Sequence, residues 1–120
     1  MHEMGIANSV IDAVRVEAAK YPGLRPRSVG VRIGELAGID AMALQFCFEA
    51  LLRETDLEPL ELVIETCARR HRCLTCATEF DVKEYEFHCP QCWELRSECI
   101  RGDELQLAYL DMDEHEPSTP

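Results

Sequence analysis

No apolar run in this 120-residue chain approaches the roughly 18 residues of a membrane-spanning helix, and the N-terminus lacks the pattern of a secretory signal. The expectation is a cytoplasmic protein. Basic side chains are scarce too, with 12 Lys and Arg against 23 Asp and Glu and a net charge of −11. A nucleic-acid binder needs a basic footprint. The chain offers only the short cluster Arg69, Arg70 and Arg72, so protein partners and no nucleic acid are expected. It also lacks a glycine-rich phosphate loop, a Ser/His/Asp or Cys/His constellation and any internal repeat, so nothing in it reads as an enzyme.

What is present begins with two helical patterns. Ile6, Val10, Ala13, Val14, Ala18 and Tyr21 recur at helical spacing until "YPG" stops them. Asp40 is a suitable N-cap for a second helix, whose apolar set is Leu44, Cys47, Phe48, Leu51 and Leu52. Three strands complete the pattern. "RSVGVRIGEL" alternates Val29, Val31 and Ile33 with polar or small residues, "LELVIET" follows Pro59, and "GDELQLAYLDM" closes the chain before an acidic tail. The order predicts an α+β fold, with two helices packed on a small three-stranded sheet. Residues 1–66 plus 100–113 are expected to form this helix-and-sheet domain, residues 67–99 to interrupt it, and 114–120 to form a flexible acidic tail.

Seven cysteines are many for this length, and an odd number in a chain without an export signal points to metal rather than disulfides. Cys73/Cys76 and Cys89/Cys92 form two C-x2-C pairs in "CLTCATEFDVKEYEFHCPQC". Each pair sets two thiolates on one side of a tight turn, and together they supply four ligands for tetrahedral zinc. The "EFDVKEYEFH" between them can form a hairpin, giving a zinc-ribbon subdomain. Four thiolates close the coordination sphere, so the ion folds the insert and does no chemistry. A redox C-x-x-C would need one pair, not two facing pairs. Cys47 sits on the apolar face of the second helix. Cys67 and Cys99 flank the insert, and nothing in the sequence shows that they react.

The terminus Met1-His2-Glu3 presents an α-amine, two amide nitrogens and an imidazole close enough to form fused chelate rings around one ion. The amine's pKa of about 7.7–8.0 lets it shed its proton near neutrality. Such a donor set favours a square-planar ion, Ni(II) or Cu(II). An incidental histidine on a frayed terminus is the plainer reading of those three residues alone.

The whole pattern resembles the HypA/HybF family. The shared features are "MHE", an apolar helix, "VRIGEL", "FCFEAL", the two cysteine pairs and the closing "GDELQLAYLDMDE", in order over roughly residues 1–114. That resemblance implies a nickel metallochaperone of [NiFe]-hydrogenase maturation. It implies Ni(II) as transient cargo at Met1, His2 and Glu3, with His2 indispensable, and structural Zn(II) at Cys73, Cys76, Cys89 and Cys92. It also implies the GTPase HypB and the hydrogenase large subunit as partners, with urease maturation served by some members. Ala77 and Trp93 depart from the pattern, because small residues such as glycine commonly follow the cysteine pairs. Glu35 could support the nickel site, His88 is expected on the ribbon surface, and His71 and His115 are expected to face solvent. The alternative reading is a zinc-ribbon interaction module in transcription or translation, with Arg69, Arg70 and Arg72 on phosphate.

Overall fold

The computed structural model describes residues 3–84 and 86–114. In chain order the elements are helix α1 (Glu3–Ala18), strand β1 (Leu24–Gly34), a 3-10 turn (Glu35–Ala37), helix α2 (Ala41–Leu52), β2 (Glu61–Cys67), β3 (Arg70–Cys73), β4 (Glu79–Asp81), β5 (Ser97–Arg101) and β6 (Leu105–Glu114). Two three-stranded sheets result, with orders β2-β1-β6 and β4-β3-β5. The chain forms two compact units: Met1–Val31, Ile39–Ile64 and Leu107–Pro120 make the first, Arg32–Gly38 and Glu65–Gln106 the second.

In the first unit α1 packs against α2. Buried Ile6, Val10 and Val14 recur every fourth residue on α1, and Leu44, Phe48 and Leu52 do the same on α2. From β1 come Val29 and Val31, from β2 Leu62. The helical pattern is one turn shorter than its apolar residues suggest: α1 ends at Ala18, and Tyr21 is 49 % exposed in the following turn. Asp40 caps α2, its side chain accepting from the Ala43 N–H at 3.1 Å. Cys47 is half-buried, beside the buried Phe48 and not in its row.

The second unit holds the cysteine insert. β3 pairs antiparallel with β4 (His71 opposite Phe80) and with β5 (Arg72 opposite Glu98). The ribbon's sheet therefore uses strands before the first cysteine pair and after the second. Among the described residues between the pairs lie the short β4 and an isolated bridge, Lys83 to Glu86. Its core is small: Cys73, Phe80, Val82 and Cys89, with Phe87 against them. Gly34 is needed for backbone closeness, since a Cβ there would strike the Gly102 carbonyl, and the Gly34 and Leu36 N–H groups donate to Glu104 and Gly102 carbonyls at 2.8 and 2.7 Å.

Candidate metal centre

The four insert cysteines converge. The Sγ atoms of Cys73, Cys76, Cys89 and Cys92 all lie within 4.8 Å of one another, with Cys73–Cys92 and Cys76–Cys89 separations of 3.6 Å. Zinc–sulfur bonds of about 2.3 Å in a tetrahedron require sulfurs about 3.8 Å apart. The observed spacing fits that ion.

Both knuckles are built the same way. In the first, the Ala77 N–H donates to the Cys73 carbonyl at 3.1 Å, and the Thr75 and Cys76 N–H groups point to Cys73 Sγ at 3.3 and 3.5 Å. In the second, the Trp93 N–H donates to the Cys89 carbonyl at 2.8 Å and the Gln91 N–H to Cys89 Sγ at 3.3 Å. N–H groups aimed at sulfur favour the thiolate. Each turn closes on a residue of positive φ, Ala77 at 63° and Trp93 at 67°. Glycine is the usual occupant of such a position, which explains where this sequence departs from the ribbon pattern. The bulk of Trp93 leaves the knuckle intact, and its ring stacks on His88 at 4.2 Å with the planes 1° apart.

The electrostatics also call for a cation. The Thr78 hydroxyl, 3.1 Å away, and the Thr78 amide hold the Cys76 thiol down to about 6. The Glu94 amide pulls Cys92 down, but partial desolvation and the Cys73, Cys76 and Cys89 sulfurs push it up to about 12. Sulfurs this close do not all carry charge near neutrality unless a cation sits among them. The insert's own apolar core is small, and a metal held by the four sulfurs would add to its stability.

His71 is buried, 8 % exposed, where the sequence suggests a solvent-facing side chain. Its Nδ1 lies 2.8 Å from the Ser97 hydroxyl, and Phe80 and Phe87 flank the ring at 6.2 and 5.9 Å. Burial lowers its pKa and the Arg69 charge adds to the effect, both favouring the neutral ring. The arginine cluster is engaged within the unit. Arg69 meets Glu35, Arg70 meets Glu79 and Asp81, and Arg72 meets Glu79 and Glu98, at 2.7 to 3.8 Å. Each of these three arginines is thus partnered by at least one carboxylate. They also occupy Glu35, whose carboxylate accepts from the Arg69 N–H at 3.1 Å. Cys99 lies opposite His71 on β5, its thiol 3.3 Å from the Arg101 carbonyl.

Of the terminal tripeptide, Met1 and His2 lie outside the described residues, as does His115. Glu3 opens α1, and its carboxylate accepts the Asp40 backbone N–H at 3.1 Å. Asp40 is legible in the sequence only as a helix cap. Its link to Glu3 spans 37 residues and leaves no local signal.

Residues 1–112 match a family model described as hydrogenase/urease nickel incorporation, metallochaperone, HypA. The chain belongs to the HypA family. A hydrogenase maturation factor HypA from Chlorobaculum parvum is 35 % identical over 113 residues, covering 94 % of this chain and 100 % of that one. One from Streptomyces avermitilis is 41 % identical over 113 residues, covering 92 % and 86 %. The solution structure of the Ni metallochaperone HypA from Helicobacter pylori superposes with a TM-score of 0.64 at 24 % identity, covering 96 % of this chain and all of that one, which shows the shared fold. The family is one of hydrogenase maturation factors and nickel metallochaperones, and this chain carries a ribbon with a four-cysteine site consistent with zinc.

Proposed function

We propose that this protein is a carrier, not a catalyst. It binds Ni(II) through Met1, His2 and Glu3 and delivers it, with the GTPase HypB, to the large subunit of [NiFe]-hydrogenase, while Cys73, Cys76, Cys89 and Cys92 hold a structural Zn(II). The observation that carries this reading is membership of the nickel-metallochaperone family over residues 1–112, in a chain whose sequence has His2 within "MHE". The family model's description names both hydrogenase and urease, so urease maturation is the second client of this reading. Nothing in it requires a compartment other than the cytoplasm.

The two metals take opposite designs. Zinc meets four sulfurs on two rigid knuckles, a closed sphere suited to permanent retention. Nickel meets nitrogen donors at a chain end: the α-amine, amide nitrogens and the His2 ring, a set that favours a square-planar ion. A helix leaves the N–H groups of its first turn outside the hydrogen-bonded ladder, so a metal on amide nitrogens there does not unmake α1. The Asp40 N–H to Glu3 bond ties the helix start to the α2 cap. Cargo at a terminus can leave without unfolding the protein.

Nickel titration of tag-free protein and its His2→Ala variant tests the reading. Loss of tight nickel binding with zinc content unchanged supports it, and undiminished binding by His2→Ala overturns it.

A further inference from the structure

The first unit has a groove of about 760 Å³ between α1 and β6 whose lining includes Val16, Tyr21, Leu24, Leu107, Leu110 and Met112. Val16, Tyr21, Leu24 and Leu107 are 37 to 62 % exposed. The strand order β2-β1-β6 makes β6 an edge, so among the described residues one side of its backbone has no strand partner in the sheet.

Natural sheets protect such edges with charges, prolines, bulges or a covering element. The other edge shows that protection: β2 carries Glu61 and Glu65, and the depression between it and α2 is lined by Glu49, Glu58 and Glu61. From Leu107 to Met112, β6 has one charged residue, Asp111, and its carboxylate accepts from the Ser28 hydroxyl at 3.1 Å. An apolar groove bounded by a helix and a strand edge whose charges gather at its C-terminal end is an arrangement that accepts an added strand.

We infer that an extended segment of a partner protein adds as a strand to β6 and lays every second side chain into the α1–β6 groove. Charge selects the occupant. The groove is lined by one charged residue, Glu17, and β6 ends in Asp111, Asp113 and Glu114. The Lys20–Glu17 and Arg27–Asp113 pairs offset part of this charge and leave the surroundings negative. A second copy would bring another acidic β6, and the chain's own residues 115–120 include Glu116 and no Lys or Arg. The segment that fits has apolar residues at alternate positions, carries Lys or Arg and lacks Asp and Glu. This inference does not depend on nickel binding.

A display library of random twelve-residue peptides, selected on the zinc-loaded full chain, tests it. Selected peptides should alternate apolar and other residues, carry net positive charge and slow amide exchange over Leu107–Met112. Val16→Lys places a charge on an exposed groove wall and should weaken them by about tenfold or more. Glu49→Gln on α2 changes net charge by the same amount and should bind like the native chain. No enrichment, acidic peptides, equal binding to Val16→Lys, or binding that leaves β6 exchange unchanged would each overturn the inference. So would concentration-dependent protection of β6 without peptide, which would assign the groove to a second copy.

Discussion

Asp40 donates its backbone N–H to the Glu3 carboxylate at 3.1 Å while its own carboxylate caps Ala43 at 3.1 Å. One residue thus joins the first turn of α1 to the start of α2. Asp40→Ala removes the cap and keeps the N–H, so chemical denaturation should report a loss of about 1 kcal/mol. Glu3→Ala removes the acceptor and Glu3→Gln keeps an acceptor oxygen. Nickel titration should therefore show Glu3→Gln closer to the native chain than Glu3→Ala.

Two glycines of β1 differ in what blocks a side chain. A Cβ on Gly34 meets the Gly102 backbone carbonyl, which has nowhere to go, whereas a Cβ on Gly30 meets the Tyr109 ring, which can turn aside. Urea denaturation should show Gly34→Ala costing on the order of 3 kcal/mol and Gly30→Ala on the order of 1–2 kcal/mol. Adding Tyr109→Ala to Gly30→Ala should recover part of the Gly30→Ala loss; it should recover none of the Gly34→Ala loss.

At the knuckles two energies compete. A left-handed non-glycine residue costs roughly 1–2 kcal/mol, and the Trp93–His88 stack returns roughly 0.5–1.5 kcal/mol. Trp93→Ala keeps the strain and loses the stack, so it should lower the melting temperature. Trp93→Gly loses both and should melt close to the native chain. Ala77→Gly removes strain where no ring stack is lost and should raise it.

Zinc uptake should release protons. The four sulfurs titrate together: their mutual proximity pushes Cys92 up, while the Thr78 hydroxyl and amide hold Cys76 down, so the cluster keeps part of its protons at neutral pH. Protons compete with zinc for thiolates, so zinc affinity should rise with pH between 6 and 8. Calorimetry in buffers of different ionisation enthalpy measures the protons released. Cys92→Ser should lower that number, and an unchanged number would contradict the assignment of Cys92 as a ligand.

The readable parts of this fold were those written in local spacing. Two helices, the Asp40 cap and each C-x2-C pair follow from residues within a turn or two of each other, and the convergence of the two pairs follows from their shared ligand chemistry. The ribbon's sheet was not readable in that way. β3 is "RHRC" and β5 is "SECIR", with little apolar alternation to reveal a strand. Their pairing is supported by cross-strand charges, Arg72 with Glu98 at 2.7 Å and Arg70 with Asp81 on β4 at 2.8 Å. A hairpin placed between the cysteine pairs therefore misses the strands outside them. His71 escaped for a related reason: a polar residue among arginines suggests solvent, and only the folded ribbon puts it between Phe80 and Phe87.

The central claim is that nickel binds a free N-terminus, and an extension tests it directly. Adding Gly-Ser-Ala before Met1 keeps every native side chain and supplies no new imidazole, but moves the amine away from His2. Titrated at pH 8, where the imidazole has largely shed its proton and about half or more of the amine has, the native chain should bind one Ni(II) with the absorption of a low-spin square-planar ion. The extended chain should lose that band and its tight binding while retaining its zinc and its melting temperature, because a chain end contributes little packing. An extended chain that binds nickel as tightly as the native one, with the same spectrum, would place the nickel site elsewhere and contradict the account.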